Sequence, residues 1–147
     1  MGDIWVLRLE DRKLLPFATT KYFENQPEFS PDGRWLSYDS EESGRREVYA
    51  RSFPDGAVKK KISKAGGAAA TWDRTGHRLF YVELPSRNLV AIDVRLQPTL
   101  EVVGPPRRVS DMAVAPGSPL PNYCTLDGRH FLMVRDEASK PQPVTHR

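Results

Sequence analysis

Cysteine is nearly missing from this sequence: Cys124 stands alone, so no disulfide can form within the chain. Long apolar runs are missing as well. No stretch nears the roughly 18 residues that suggest a membrane-spanning helix, so membrane insertion by this segment is not expected. The opening Met1-Gly2-Asp3-Ile4-Trp5 has neither the basic nor the apolar region of a signal peptide, and the residues alone leave the compartment open. Charge of one sign is not in excess: 22 Lys and Arg face 19 Asp and Glu, for a net charge of +3. A nucleic-acid surface needs basic residues gathered on one face, so no nucleic-acid partner is expected.

The common motifs of catalysis are also absent. There is no Gly-x-Ser-x-Gly elbow, no phosphate-binding Gly-x-x-x-x-Gly-Lys-Ser/Thr, no His-Glu-x-x-His, and no kinase glycine-rich or catalytic loop. His77, His130 and His146 lack the spacing of a zinc site. No catalytic, cofactor-binding or metal-ligating residue is assigned, and no cofactor is expected.

What the chain does hold is turn chemistry. Its 13 prolines and 10 glycines disfavour long helices. Gln26 to Asp39 reads as strand, tight turn, strand. In Pro31-Asp32-Gly33, proline presets φ, aspartate can bond the backbone ahead of it, and glycine accepts positive φ. Trp35, Ser37 and Asp39 then alternate with Leu36 and Tyr38, a period of two.

The unit recurs. Gly33 aligns with Gly76 (76 − 33 = 43) and Gly76 with Gly128 (128 − 76 = 52), the longer interval holding the Pro-rich stretch 116–121. Trp35-Leu36-Ser37-Tyr38 superposes on Arg78-Leu79-Phe80-Tyr81 and on His130-Phe131-Leu132-Met133. Ile4-Trp5-Val6 superposes on Val48-Tyr49-Ala50 and Val90-Ala91-Ile92. Four strands per period of about 40 to 50 residues is the mark of a propeller blade. The expected fold is all-β, a partial β-propeller of about three four-stranded antiparallel blades. Full blades are expected over residues 26–63 and 68–109. Residues 1–17 and 122–135 are expected to combine as a closing blade within a single unit over 1–137, followed by a frayed tail, 138–147.

Ser30-Pro31-Asp32-Gly33-Arg34-Trp35-Leu36-Ser37-Tyr38 resembles the repeat of TolB-like, WD-type β-propellers. The later copies depart from it: Asp73-Arg74-Thr75-Gly76 moves the aspartate, and Leu126-Asp127-Gly128 lacks the proline. The run ending Gly128-Arg129-His130-Phe131-Leu132-Met133-Val134 is also similar to the C-terminal propeller region of bacterial membrane-anchored serine/threonine protein kinases. These resemblances, with no catalytic constellation among the residues, lead to the expectation of a non-catalytic module that binds a protein, peptide or other ligand, a stand-alone hydrolase or lyase being the least expected. The alternative they leave open is an accessory or sensor propeller of a larger enzyme, a kinase of that kind or a propeller-capped serine peptidase. They also imply a periplasmic or extracytoplasmic location.

Three blades are fewer than the usual four to eight. The chain is therefore expected to be a piece of a larger ring, an open arc, or half of a two-copy ring of about six blades, with self-association through exposed edges.

Asp32, Asp55, Asp73 and Asp127 invite a reading as calcium ligands or general acids, but turn capping is the preferred one. A sialidase-type Asp box would need Ser-x-Asp-x-Gly, and Gly33 comes one place too early. Lys59-Lys60-Lys61 with Lys64 reads as a lysine-protected outer edge strand. Trp5, Trp35, Trp72, Phe29, Phe80 and Tyr81 are expected to pack between blades.

Overall fold

Residues 2–114, 123–125 and 127–133 are described by a computed structural model. Among them every regular element is a strand. Two antiparallel sheets form the middle of the molecule. Blade A takes β3 (Glu24–Phe29), β4 (Trp35–Ser40), β5 (Glu47–Ser52) and β6 (Lys59–Lys61), in that order. Blade B takes β7 (Gly67–Trp72), β8 (Arg78–Glu83), β9 (Asn88–Arg95) and, as its fourth strand, two pieces. The piece β10 (Glu101–Val102) pairs with the end of β9, while β11 (Arg107–Ala113) pairs with its beginning. Pro105-Pro106 stands between them, where proline removes the ladder donor and ends the pairing.

Each side of this pair carries a hairpin. At one end β1 (Ile4–Arg8) pairs with β2 (Lys13–Ala18). Ile4 and Ala18 are buried there against Leu36, Tyr38 and Tyr49 of blade A. At the other end β12 (Tyr123–Thr125) pairs with β13 (Phe131–Met133). Tyr123, Phe131 and Met133 pack on Phe80, Val82, Leu89 and Ala91 of blade B. The order is half blade, blade A, blade B, half blade. The two hairpins stand in separate sheets with both full blades between them, so no ladder joins them into the expected closing blade among the described residues. The expected tail, 138–147, lies outside the described residues.

The largest core fills the junction of the two full blades. Trp35, Val48, Ala50 and Ile62 of blade A meet Ala70, Trp72, Leu79, Tyr81, Val90 and Ile92 of blade B. Period-two alternation sends neighbours such as Leu79 and Phe80 to opposite faces, so each blade has apolar residues for two partners. Such a sheet cannot bury both faces alone.

The innermost strands share a detail absent from the sequence pattern. Pairing shifts register between Asn25 and Glu28 and again between Ala68 and Thr71. Within these bulges Gln26 (φ +54°) and Ala69 (φ +59°) adopt left-handed backbone. They are related by the same spacing as the corner glycines (69 − 26 = 43). A left-handed non-glycine costs about 1–2 kcal/mol, so the surroundings must hold it in place.

Candidate functional site

In an antiparallel blade the first and third connections leave by the same end. All four corner aspartates therefore belong to one face of the stack. Asp32 Oδ1 accepts hydrogen bonds from Ser30 Oγ (2.6 Å) and the Arg34 amide (3.0 Å). Asp55 Oδ1 accepts from Ser52 Oγ (2.8 Å) and the Ala57 amide (3.0 Å). Asp73 Oδ1 accepts from the Thr75 amide (2.8 Å), Thr75 Oγ1 (2.5 Å) and the Gly76 amide (3.0 Å), while its Oδ2 meets Arg78 Nε at 3.1 Å. Asp127 Oδ1 accepts from the amides of Arg129 (2.8 Å) and His130 (2.7 Å), with Oδ2 2.6 Å from His130 Nδ1. Each carboxylate thus closes its own turn, as an aspartate ahead of a positive-φ glycine does.

Electrostatics follow this geometry. Burial pushes the Asp73 carboxyl up, but hydrogen bonds from Thr75 and Arg78 outweigh it and hold the group below the ordinary carboxylate value. The bonds from His130 hold Asp127 well below that value, and the same contact raises the His130 imidazole. Among the described residues no cluster of three or more His, Cys, Asp or Glu is placed to hold a metal ion.

The corners touch in sequence. A Cβ at Gly76 would lie 3.0 Å from Leu96 Cδ1 and 3.9 Å from Pro31 Cδ, and one at Gly128 would lie 3.5 Å from Asp73 Cβ. Between the Asp32 and Asp73 corners and the loop after β9 runs a groove of about 1020 Å³. Pro31, Val94, Leu96 and Val103 give it an apolar floor, Asp32, Arg78, Asp93, Arg95 and Arg107 give it charge, and His77 lines it as well. Arg107 grips Asp93 through both terminal nitrogens (2.8 and 3.2 Å), which lowers the Asp93 carboxyl and raises the guanidinium. Arg95 bonds Glu101, and Arg78 bonds Asp73. Three ion pairs, Arg107–Asp93, Arg95–Glu101 and Arg78–Asp73, stand around the apolar floor.

A second polar set, unseen in the sequence, ties the blades together. Asp39 is buried yet accepts the Ala69 amide (3.1 and 3.2 Å) and lies 2.8 Å from Arg46 Nη2. Burial pushes its carboxyl up to about 6 against the pull of Arg46 and the Ala69 amide. Glu28 takes Thr71 Oγ1 (3.0 Å) and the Trp72 amide (3.1 Å), and burial again raises it. Trp72 Nε1 donates back to Ser37 Oγ (3.0 Å) and the Glu28 carbonyl (3.2 Å). The fully buried Glu47 accepts from Ser63, the Gly66 amide (3.1 Å) and Arg45 (2.9 Å). The left-handed Ala69 therefore sits at a crossing: its amide serves blade A, and its carbonyl takes the Tyr123 hydroxyl of the following hairpin.

The remaining sequence candidates divide. Lys59, Lys60 and Lys61 form the exposed outer strand of blade A, with Lys59 2.7 Å from Glu42 and Lys61 3.7 Å from Glu47. His77 lines the groove, and His146 lies outside the described residues. Trp35, Trp72, Phe80 and Tyr81 are core, but Trp5 and Phe29 are not: each is about half exposed, because no blade covers its side of the sheet.

No protein-family model and no curated protein matches the chain. Solved structures do. A TolB-type protein from Agrobacterium tumefaciens matches with a TM-score of 0.54 at 15% identity, over 68% of this chain and 40% of that one. TolB from Acinetobacter baumannii matches with a TM-score of 0.50 at 18% identity, over 82% of this chain and 30% of that one. At that identity the likeness shows the fold, that of TolB-like β-propeller blades. The chain spans less than half the length of either neighbour.

Proposed function

We propose that this chain is a non-catalytic propeller module that binds a peptide or protein segment in the groove on its corner-bearing face. The observation that carries this reading is the groove itself. It is wide, it has an apolar floor at Leu96 and Val103, and its rim carboxylates are already held by turns or arginines. A carboxylate whose hydrogen bonds close a turn is a poor general base, and a guanidinium locked to its partner fixes a wall in place. Such a wall favours recognition over turnover. Peptides selected from a random displayed library against the purified chain should bind in the groove, and Leu96→Asp should weaken them by about tenfold or more. Peptides indifferent to Leu96→Asp would contradict the assignment.

The second reading is an accessory or sensor propeller within a larger enzyme. The chain spans 40% and 30% of its two structural neighbours, which accords with a longer parent protein. Turnover of generic ester, peptide or phosphoryl-transfer substrates by the purified chain would oppose both readings.

A further inference from the structure

We infer that the two terminal hairpins are complementary halves of one blade, and that a second copy of this chain supplies the missing half, closing a two-copy ring. The argument rests on comparing equivalent positions. In blade A the second strand, β4, pairs with the third, β5, as Leu36↔Arg51, Ser37↔Ala50 and Tyr38↔Tyr49. Blade B repeats this as Leu79↔Ile92, Phe80↔Ala91 and Tyr81↔Val90, which sets Val90 in the place of Tyr49 and corrects the expected superposition of Val90-Ala91-Ile92 on Val48-Tyr49-Ala50 by one residue. By the repeat, β1 and β2 are a third and fourth strand, and β12 and β13 are a first and second. Among the described residues the inward edge of β1 and the outward edge of β13 have no strand partner. Extending the register predicts Phe131↔Leu7, Leu132↔Val6 and Met133↔Trp5 across a new ladder.

Exposure supports the match. Trp72 is 6% exposed, while its equivalent Phe29 (72 − 43 = 29) is 49% exposed. Phe80 is 1% exposed, while its equivalent Leu132 (80 + 52 = 132) is 75% exposed. Tyr49 is 5% exposed, while Trp5 is 48% exposed. In each pair the exposed member faces the side where the equivalent has a blade. Along β1 a slot of about 550 Å³ opens between the hairpin and blade A, floored by Pro27, Phe29 and Leu36. That is where a first and second strand would lie. There Leu132 would rest on Phe29 as Ser37 rests on Trp72 in the finished junction. Trp5 and Leu7 would join Phe131 and Met133 over blade B of the other copy. The new contact continues the blade A to blade B junction in kind and register. Ring closure forms two such contacts at once, which suits a closed two-fold assembly.

The test is sedimentation of the full 147-residue chain over a wide concentration range. The expected result is a reversible step from the chain mass to twice that mass and no further. Trp5→Glu and Leu132→Glu, both at exposed positions, should keep the circular dichroism of the parent. Each should raise the midpoint concentration by about tenfold or more, since each buries an unpaired charge. Mixing the two variants should restore association, because one of the two contacts is then made of intact halves. A monomer at the highest concentration would overturn the proposal, leaving these edges for completion within a longer polypeptide. So would growth beyond two copies, or a dimer indifferent to both substitutions.

Discussion

Trp72 and Phe29 occupy the same place in successive blades, yet one is sealed and the other is half in water. The difference lies in the neighbour. Trp72 has blade A over it and donates to Ser37 and the Glu28 carbonyl, whereas Phe29 faces the open slot beside β1. The same contrast separates the finished junction between the full blades from the unfinished faces at the two ends. A blade acquires its core from the blade beside it, so stability in this chain is concentrated where two complete sheets meet.

The sharpest way to break that comparison is to truncate both members. Trp72→Ala should cost about 3–5 kcal/mol in urea unfolding, through lost burial and loss of the indole N–H shared between Ser37 and the Glu28 carbonyl. Phe29→Ala at low protein concentration should cost less than about 1.5 kcal/mol. Equal losses would show that the two faces are equally covered. Glu47→Ala should follow at about 3 kcal/mol, because it strands the Gly66 amide and the Ser63 hydroxyl inside the protein.

The junction should also sense pH. Asp39 is raised from 3.8 to about 6, so the folded form holds its proton more tightly than the unfolded chain does. Stability from this group is therefore fullest below about pH 4 and falls as pH rises through 6. A shift of that size corresponds to about 3 kcal/mol at most. Glu28 is raised too and acts in the same direction. The lowered carboxylates Asp73 and Asp93 contribute in the opposite sense, but at lower pH. Urea midpoints between pH 4 and 7 should therefore decline in the parent and flatten in Asp39→Asn. An unchanged slope in the variant would remove Asp39 from the account.

The smallest effects are expected at the corners. Asp73→Ala should cost about 1–2 kcal/mol, because its carboxylate caps a turn wedged against the third corner. Asp127→Ala, on the exposed end hairpin, should shift thermal unfolding by less than Asp73→Ala does.

The corners were the readable part of the sequence. Pro31-Asp32-Gly33 and its two successors marked blade spacing, and Pro105-Pro106 marked the break in the fourth strand, because turn residues signal through local backbone chemistry. The ties between blades were not readable. Glu28, Asp39 and Glu47 occupy positions that a period-two pattern treats as polar and solvent-facing; partners in blade B explain the first two, and Ser63 with the Gly66 amide of the connecting loop explains Glu47. Gln26 and Ala69 carry no mark of left-handed backbone, since neither is glycine. Alternation puts Trp5 and Phe29 on a packing face, because it tells which face a side chain takes but not whether anything covers it. The groove on the corner face was hidden for a similar reason: Asp93, Leu96 and Arg107 come from loops and strands whose approach is set by packing between blades.

The most direct test of the contrast between finished and unfinished faces is residue-resolved hydrogen exchange at two protein concentrations. At the lower one, amides of β4, β5, β8 and β9 should exchange only with global unfolding, while amides on the open edges of β1 and β13 exchange freely. At the higher one, the β1 and β13 edges should become protected together. Edges already protected in the dilute protein, or still open in the concentrated one, would contradict the account.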